Sequence, residues 1–203
     1  MLRVENTLLV LLAAGQSRRF GGPTSKLVED VGGMALGLHA AVALAPLPFG
    51  GRLAVVGDAG IDFAAHGFEV VRNERRAEGM ATSVRIGVMR ARDLGAEAVV
   101  VALADMPRVT AAHVRRLFEA SDGEHGIVAS SGGTAVSPPA LFGRGEFGRL
   151  LALTGDAGAR DLLRGGRHVV TAPAELTDVD TPGELERLRE ELDEANDRVH
   201  GHG

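Results

Sequence analysis

The 203-residue chain contains no cysteine, no tryptophan and no tyrosine, and only seven phenylalanines. Without cysteine it can form no disulfide, no thiolate metal site and no cysteine nucleophile. The shortage of aromatic rings argues against a platform on which single-stranded bases stack. The net charge of −5 argues against a general nucleic-acid partner. Any anion site must therefore come from a local cluster of arginine and lysine.

Familiar catalytic motifs are missing as well. The seven histidines form no H-x-x-x-H or H-E-x-x-H arrangement, and no G-x-S-x-G elbow occurs, which argues against a zinc hydrolase and an α/β-hydrolase. The first apolar run is too short for a membrane span, and Glu5 interrupts the segment before it. We therefore expect a cytoplasmic protein without a membrane partner, whose chain opens on a buried strand.

Short apolar runs alternate with longer amphipathic segments along the chain. This alternation predicts an α/β fold of βαβ units with a mainly parallel sheet. The predicted strands are Leu8–Ala13, Arg52–Val56, Glu69–Arg72, Ala98–Ala104, Gly126–Ser130, Ala135–Val136 and His168–Ala172. The predicted helices are Ala35–Ala45, Met80–Leu94, Ala111–Glu119, Ala157–Leu163 and Pro182–Asn196. We expect one domain over residues 1–196 and a disordered tail over 197–203.

The segment after the first predicted strand is rich in glycine and cations. Gly15, Arg18, Arg19 and Lys26 lie in this loop. Glycine lets backbone N–H groups approach a ligand closely, and arginine and lysine supply charge for phosphate. The loop is neither a Walker A sequence nor G-x-G-x-x-G, and a solvated turn is the alternative. We interpret it as a triphosphate cradle at the carboxyl end of a central strand.

Asp105 follows another apolar strand, in Leu103–Pro107. A carboxylate that emerges from a central strand into the ligand crevice can hold Mg²⁺, which needs one or two protein carboxylates besides phosphates. The alternative is an aspartate that caps the next turn. Asp178 and Asp180 precede a helix that Thr181 caps and that Pro182 begins, and Glu184 completes a capping box with Thr181. One of the pair could be a second metal ligand, and we favour Asp180; plain capping chemistry is the competing interpretation.

Two further segments have small residues at predicted helix starts. Gly79, Thr82 and Ser83 lie where a backbone could approach a base or ribose and where hydroxyls could bind it; an ordinary flexible loop is the alternative. The glycine-bracketed segment Thr154–Asp161 could hold an anion at a helix start. Arg160 could bind a phosphate of a second substrate there, although this signal alone is weak.

Taken in chain order, these segments resemble one family. LLAAGQSRRFGG…K, GMATSVRIG, LADMP, PPALF, GDAGARDLL and DVDTP resemble the nucleotidyltransferases that complete molybdenum cofactor, and most closely the molybdenum cofactor cytidylyltransferases of the MobA/MocA-like NTP transferase family. The resemblance runs from Leu8 to about Leu188. No single motif is decisive, but six in the same order are specific.

The resemblance implies a Rossmann-like, three-layer α/β/α nucleotidyltransferase fold and a Mg²⁺ ion held by Asp105 and Asp180. In relatives LAAG goes with CTP and LAGG with GTP, so Ala13-Ala14-Gly15 favours CTP. The implied nucleotide contacts are Ala13, Ala14, Gly15, Ser17, Arg19, Gly21, Gly79 and Ser83. The implied catalytic residues are Arg18, Lys26 and Asp105, and the implied acceptor contacts are Asp156 and Arg160.

The expected reaction transfers CMP from CTP to a phosphorylated small-molecule acceptor, with molybdopterin favoured, and releases pyrophosphate. Two departures from the family pattern leave alternatives open. The stretch before Lys26 is about one residue longer than usual, and Pro138 stands where relatives often carry His or Asn. The alternatives are GTP or another NTP with a different acceptor, such as a sugar phosphate or phospholactate, and a module that binds and delivers a cofactor without catalysis. A molybdoenzyme or chaperone partner, and a monomer or a homodimer, stay open as well.

Overall fold

The computed structural model describes residues 1–15, 20, 25–155 and 158–200. The strands are β1 (Thr7–Ala13), β2 (Asp30–Val31), β3 (Met34–Ala35), β4 (Gly51–Val56), β5 (Glu69–Arg72), β6 (Ala98–Leu103), β7 (Ile127–Ser131), β8 (Val136–Gly143) and β9 (Arg167–Val170). The α-helices are α1 (His39–Leu44), α2 (Met80–Asp93), α3 (Ala111–Glu119), α4 (Phe147–Leu151), α5 (Gly158–Arg164) and α6 (Pro182–His200). None of the helices in this part of the chain combines the length and the hydropathy that a membrane span needs.

Seven strands form one sheet in the order β5-β4-β1-β6-β8-β7-β9. Strands β5, β4, β1 and β6 run parallel, β8 is antiparallel to both its neighbours, and β9 is parallel to β7. The chain builds outward from β1 through β4 to β5 and then returns to β6 on the other side of β1. This reversal is the topological switch point of a Rossmann-like fold, where open α/β sheets bind their ligands.

Strand β1 is buried on both faces, as its continuous apolar run predicts. Leu9 and Leu11 belong to one core cluster, which includes residues of α1 and α3. Leu8 and Val10 belong to a second cluster, which includes residues of α2, α4 and α5. Because alternate side chains of a strand point to opposite faces, the sheet separates two helical layers. The predicted three-layer α/β/α architecture with a mostly parallel sheet is confirmed.

Strand β8 is much longer than the predicted Ala135–Val136. It runs from Val136 to Gly143 through Pro138 and Pro139, which are joined by a cis peptide bond. Proline normally argues against a central strand because it cannot donate to the ladder. Here the register of β8 against β7 shifts between its pairs Ala129/Ala140 and Ser130/Ser137, so both prolines lie at the irregularity.

Three helical boundaries also differ from prediction. The predicted helix Ala35–Ala45 is a 3₁₀ turn, Leu36–Leu38, followed by α1. Helix α4 was not predicted. Helix α6 extends to His200 and so includes residues 197–200, which we assigned to the tail; residues 201–203 lie outside the described residues. Thr110 caps α3, since its hydroxyl accepts from the His113 N–H at 3.1 Å.

His113 forms the centre of a buried polar network between α3 and the sheet. The ring is 1% exposed, and its Nε2 lies 2.6 Å from Ser130 Oγ, which donates to the Pro139 carbonyl. On the other side, Arg116 Nη2 lies 3.0 Å from His113 Nδ1. Because Arg116 can only donate and the Ser130 hydroxyl proton is already used, this arrangement requires a neutral ring protonated on Nε2. The network joins α3 to β7 and β8.

We expect the stability of the protein to fall as the pH drops below about 6.5. Burial lowers the pKa of His113 from its ordinary 6.5; the nearby Glu175 opposes this shift and Arg116 adds to it. The unfolded chain therefore binds this proton first, so stability rises with pH across the window just below 6.5. Denaturant titrations at pH 8, 6.5 and 5.5 measure the effect, and we expect His113→Gln to show a shallower slope. An equal slope in both proteins would contradict the assignment of the pH dependence to His113.

Candidate active site

A cavity of about 410 Å³ opens at the carboxyl ends of β1 and β6. This is the switch point of the sheet. Its lining comes from the end of β1, from the turn that follows Ser25, from the segment that leads into α2 and from the end of β6. The lining residues are Leu12, Ala14, Gly15, Lys26, Leu27, Arg76, Ala77, Glu78, Gly79, Met80, Ser83, Leu103 and Asp105. The volume is within the usual range for a small-molecule site.

One lysine joins two carboxylates at this cavity. Lys26 Nζ lies 2.8 Å from Asp105 Oδ2 and 2.7 Å from Asp180 Oδ1. The lysine side chain is only 6% exposed, whereas the two carboxylates are 24% and 29% exposed. The structure therefore brings together three predicted site residues that are far apart in sequence. Lys26 pairs with Asp180 rather than Asp178, and a lysine held between two aspartates was not predicted.

A backbone hydrogen bond explains how the two aspartates meet. The Val179 N–H donates to the Asp105 carbonyl at 2.9 Å, which fixes one segment against the end of β6. Val179 is buried in a small apolar cluster with Val31 and Leu185. Because Val179 points inward, its polar neighbours on either side are directed away from that cluster, as expected for an extended segment.

The start of α6 holds Asp180 in place. The predicted capping box is confirmed: the Glu184 N–H donates to Thr181 Oγ1 at 3.3 Å, and Glu184 Oε2 accepts from the N–H groups of Thr181 and Asp180 at 2.8 and 2.9 Å. These donors lower the pKa of Glu184. Asp180 is therefore placed by rigid backbone on both sides.

The electrostatics of the cluster favour a charged lysine. Burial lowers the pKa of Lys26, but the charges and hydrogen bonds of Asp105 and Asp180 outweigh burial and raise it overall. Desolvation raises the pKa of Asp178, and the charges of Asp180 and Asp105 add to that shift. The three aspartates therefore create a local excess of negative charge that Lys26 only partly neutralises.

Ser83 and Thr82, two of the predicted hydroxyls, are part of a buried network around Asn73. The Asn73 amide donates to Thr82 Oγ1 and Ser83 Oγ, both at 2.8 Å, and its carbonyl accepts from the Arg75 N–H at 2.9 Å. Gly79 precedes α2 with φ +106°, a conformation that favours glycine. The network therefore shapes this wall of the cavity, which Gly79 and Ser83 line.

Arg76 and Glu78 line the cavity but were not predicted. Arg76 packs beside Gly57, pairs with Asp58, and has its pKa raised by that hydrogen bond. Glu78 pairs with Arg75 through two bonds of 2.8 and 2.7 Å. Both residues lie in NERRAEG, a run rich in charged residues that ends at Gly79, just before α2. This concentration of charge beside a glycine at a helix start was the signal available in the sequence.

The segment predicted to bind the acceptor reaches the edge of this site. The Gly155 carbonyl accepts from the Ala81 N–H at 3.2 Å, and Arg85 Nη1 donates to the Leu153 carbonyl at 3.2 Å. Arg160 is exposed on the seven-residue helix α5 and is not among the residues that line the cavity. The segment is thus tied to the start of α2, while Arg160 does not line the cavity.

Several predicted site residues lie outside the described residues. These are Ser17, Arg18, Arg19, Gly21 and Asp156. Ala14 and Gly15 line the cavity, whereas Ala13 is buried at the end of β1. Across the described ranges, no group of three or more His, Asp or Glu side chains is arranged to hold a metal ion. Among the described residues, the carboxylates of Asp105 and Asp180, which converge on Lys26, are candidate ligands for an ion that also binds substrate phosphates.

The sequence model of the MobA-like NTP transferase domain matches residues 9–172. The chain belongs to this family. Among curated proteins it is 33% identical over 118 residues to the purine catabolism protein PucB of Bacillus subtilis, a match that covers 55% of this chain and 57% of that protein. The chain thus spans little more than half the length of this relative.

Solved structures agree with the family. Rv0371c of Mycobacterium tuberculosis superposes with a TM-score of 0.74 at 28% identity, over 94% of this chain and 99% of that one. A structure of Rv0371c in complex with manganese gives 0.70 at 26% identity, over 91% and 98%. A nucleotidyl transferase from Methanothermobacter, Mth528, gives 0.77 at 20% identity, over 93% and 98%, a likeness of fold. The predicted family and the Rossmann-like nucleotidyltransferase fold are therefore confirmed.

Proposed function

We propose that this member of the family is a Mg²⁺-dependent cytidylyltransferase that transfers CMP from CTP to a phosphorylated acceptor, with molybdopterin favoured, and releases pyrophosphate. The observation that carries the proposal is the convergence of Asp105 and Asp180 on one cation at the mouth of the switch-point cavity. A nucleotidyltransferase needs carboxylates that can hold a divalent cation beside the triphosphate, since its chemistry is mostly positioning and charge stabilisation.

The donor set is suitable for Mg²⁺. Asp105 and Asp180 would hold the ion, because their oxygens already face a single positive atom at 2.8 and 2.7 Å. Proteins usually bind Mg²⁺ through one or two carboxylates together with waters and substrate phosphates, so two carboxylates are enough when a triphosphate is bound. When bound, the ion would neutralise phosphate charge and act as a Lewis acid. Rv0371c, which is similar to this chain at 26% identity, has a structure in complex with manganese, and this supports a divalent cation here.

The remaining residues would orient the substrates. An oxygen of the acceptor phosphate would attack the α-phosphorus of CTP in line, as the bond from that phosphorus to the bridging β-oxygen breaks and pyrophosphate leaves. Arg18 and Lys26 would neutralise the leaving group, and Ser17, Arg19 and Gly21 would bind the triphosphate. Asp156 and Arg160 would contact the acceptor, since their segment is tied to the start of α2 through Gly155.

The base pocket supports CTP through the pattern at the end of β1. Ala14 and Gly15 line the cavity opposite Gly79 and Ser83. In relatives LAAG goes with CTP and LAGG with GTP, and Ala14 is the residue that differs between the two patterns. The relative PucB is named for purine catabolism, and Pro138 departs from the family pattern. A different phosphorylated acceptor for the same chemistry is therefore the second candidate.

A pyrophosphate-release assay that crosses the four NTPs with a panel of acceptors tests the proposal. We expect CTP to support release at least about tenfold faster than GTP, ATP or UTP, since one well-placed base contact is worth roughly 1–3 kcal/mol. The panel should hold molybdopterin, a sugar phosphate and phospholactate, each with Mg²⁺ and with EDTA. Faster release with GTP would overturn the base assignment. Binding of a pterin without release from any NTP would support a delivery module instead.

A further inference from the structure

Lys26 is the only lysine of the chain, among 22 lysine and arginine residues. Its ammonium lies between the two carboxylates that the proposed function gives to the metal, at 2.8 Å from Asp105 and 2.7 Å from Asp180. It also lines the cavity assigned to the nucleotide. One side chain therefore touches both the proposed metal ligands and the space where phosphates would lie.

The ammonium and a divalent ion cannot occupy this position together. Magnesium–oxygen distances are about 2.0–2.1 Å. A Mg²⁺ ion held by the same two oxygens would therefore lie close to the present position of the ammonium nitrogen, because the metal–oxygen distances are less than about 1 Å shorter than the nitrogen–oxygen distances. Two cations that close would repel each other strongly in a site where solvent screens little, since Lys26 is only 6% exposed. One of them has to leave.

We propose that the Lys26 ammonium is a tethered counter-cation that the divalent metal displaces from Asp105 and Asp180, and that the displaced ammonium moves to the phosphates of the nucleotide. The idea rests on the metal site of the proposed function. It makes metal binding weak in the free protein, because the metal must first break two short ion pairs. It makes metal and nucleotide binding mutually supporting, because the triphosphate both completes the metal shell and accepts the released lysine.

Removal of the ammonium tests the competition directly. Lys26→Met keeps an unbranched side chain of similar length and removes the charge. In the absence of nucleotide, we expect Mn²⁺ titrations followed by electron paramagnetic resonance to show binding at least about tenfold tighter than in the wild type. In Lys26→Met/Asp105→Asn this gain should disappear, because one of the two ligands is lost. Binding to Lys26→Met that equals or falls below the wild type would overturn the proposal.

A second measurement uses the wild-type protein and depends on no variant. Lysine labelled with ¹³C and ¹⁵N at its terminal carbon and nitrogen gives one side-chain signal, because the chain has one lysine. We expect this signal to shift when Mg²⁺ and a non-hydrolysable CTP analogue are added together. Saturation with both ligands without a shift would show that Lys26 keeps its carboxylates, and the proposal would fail. For the metal titrations described above, circular dichroism is used to check that the Lys26→Met variant is folded.

These measurements separate this inference from the proposed function. Mn²⁺ binding to the free protein does not depend on CTP or on any acceptor. Tighter binding by Lys26→Met together with no pyrophosphate release would support the exchange and count against the transferase assignment. The opposite outcome is metal-dependent CMP transfer by the wild type together with equal Mn²⁺ affinity of the wild type and Lys26→Met. That outcome would support the transferase assignment and overturn the exchange.

Discussion

Asp105→Asn is expected to lower kcat for CMP transfer by about 10²–10³, or roughly 3–4 kcal/mol of transition-state stabilisation. Asparagine keeps the size of the side chain but removes the charge that Lys26 contacts and that the proposed Mg²⁺ would contact. The fold should survive, because the group that holds Val179 is the backbone carbonyl of residue 105, which the substitution leaves in place. Initial rates at several Mg²⁺ concentrations measure the effect, and the thermal midpoint should stay close to that of the wild type.

Asp178→Asn is the matched control for this prediction. It makes the same chemical change two residues from Asp180, at a carboxylate that has no ion pair with Lys26 among the described contacts. We expect its kcat to change by less than about threefold. Near-normal turnover of Asp105→Asn at limiting Mg²⁺ would contradict the metal assignment. A large loss in Asp178→Asn would move the second ligand from Asp180 to Asp178.

Gly87→Ala is expected to lower the free energy of unfolding by about 2 kcal/mol. Gly87 lies where α2 packs on β1, and a methyl group there would come within 2.5 and 2.8 Å of the two γ-carbons of Val10. Val10 cannot move away easily, because β1 is paired with β4 on one side and β6 on the other. Overpacking of this kind costs about 1–3 kcal/mol, more than the helix propensity that alanine adds. Chemical denaturation measures the loss.

The same substitution at Gly148, in α4, is the control. A methyl group there has no neighbour within 4 Å, so Gly148→Ala should stabilise the protein by about 0.5–1 kcal/mol through lower backbone entropy in the unfolded chain. The two variants should therefore change stability in opposite directions. Equal or greater stability of Gly87→Ala than of the wild type would contradict the close packing of α2 on β1. We also expect Gly87→Ala to raise the KM for CTP, since α2 carries Ser83 to the cavity.

The parts of the fold that local chemistry dictates were predictable from sequence. The continuous apolar runs at Leu8–Ala13 and Ala98–Ala104 predicted buried parallel strands. The polar residues that follow each run predicted a ligand-binding site at the carboxyl edge of the sheet. The capping box at Thr181 and Glu184 predicted the start of α6. In each case a few neighbouring residues determine the element, so it can be predicted without knowing which distant residues it contacts.

The missed parts depend on contacts between distant residues. Helix α4 was not predicted, yet Phe147 and Leu150 are almost fully buried and hold the helix in place. The strand predicted at Ala135–Val136 continues through Pro138 and Pro139, because the register shift against β7 accommodates them. The pairing of Lys26 with Asp105 and Asp180 joins residues 79 and 154 positions away from the lysine (105 − 26 and 180 − 26). No local sequence pattern predicts that these three side chains contact one another.

The hydrogen bond from Val179 to Asp105 joins two parts of the chain that the family match separates. Asp105 follows the sixth strand and lies within the residues that the family model matches, whereas Asp180 precedes α6 and lies after them. A chain cut before Asp180 would keep Lys26 and Asp105 but would lack the second carboxylate that Lys26 contacts. The proposed metal site therefore depends on a segment outside the matched domain, and a fragment limited to residues 9–172 would lack one of its two ligands.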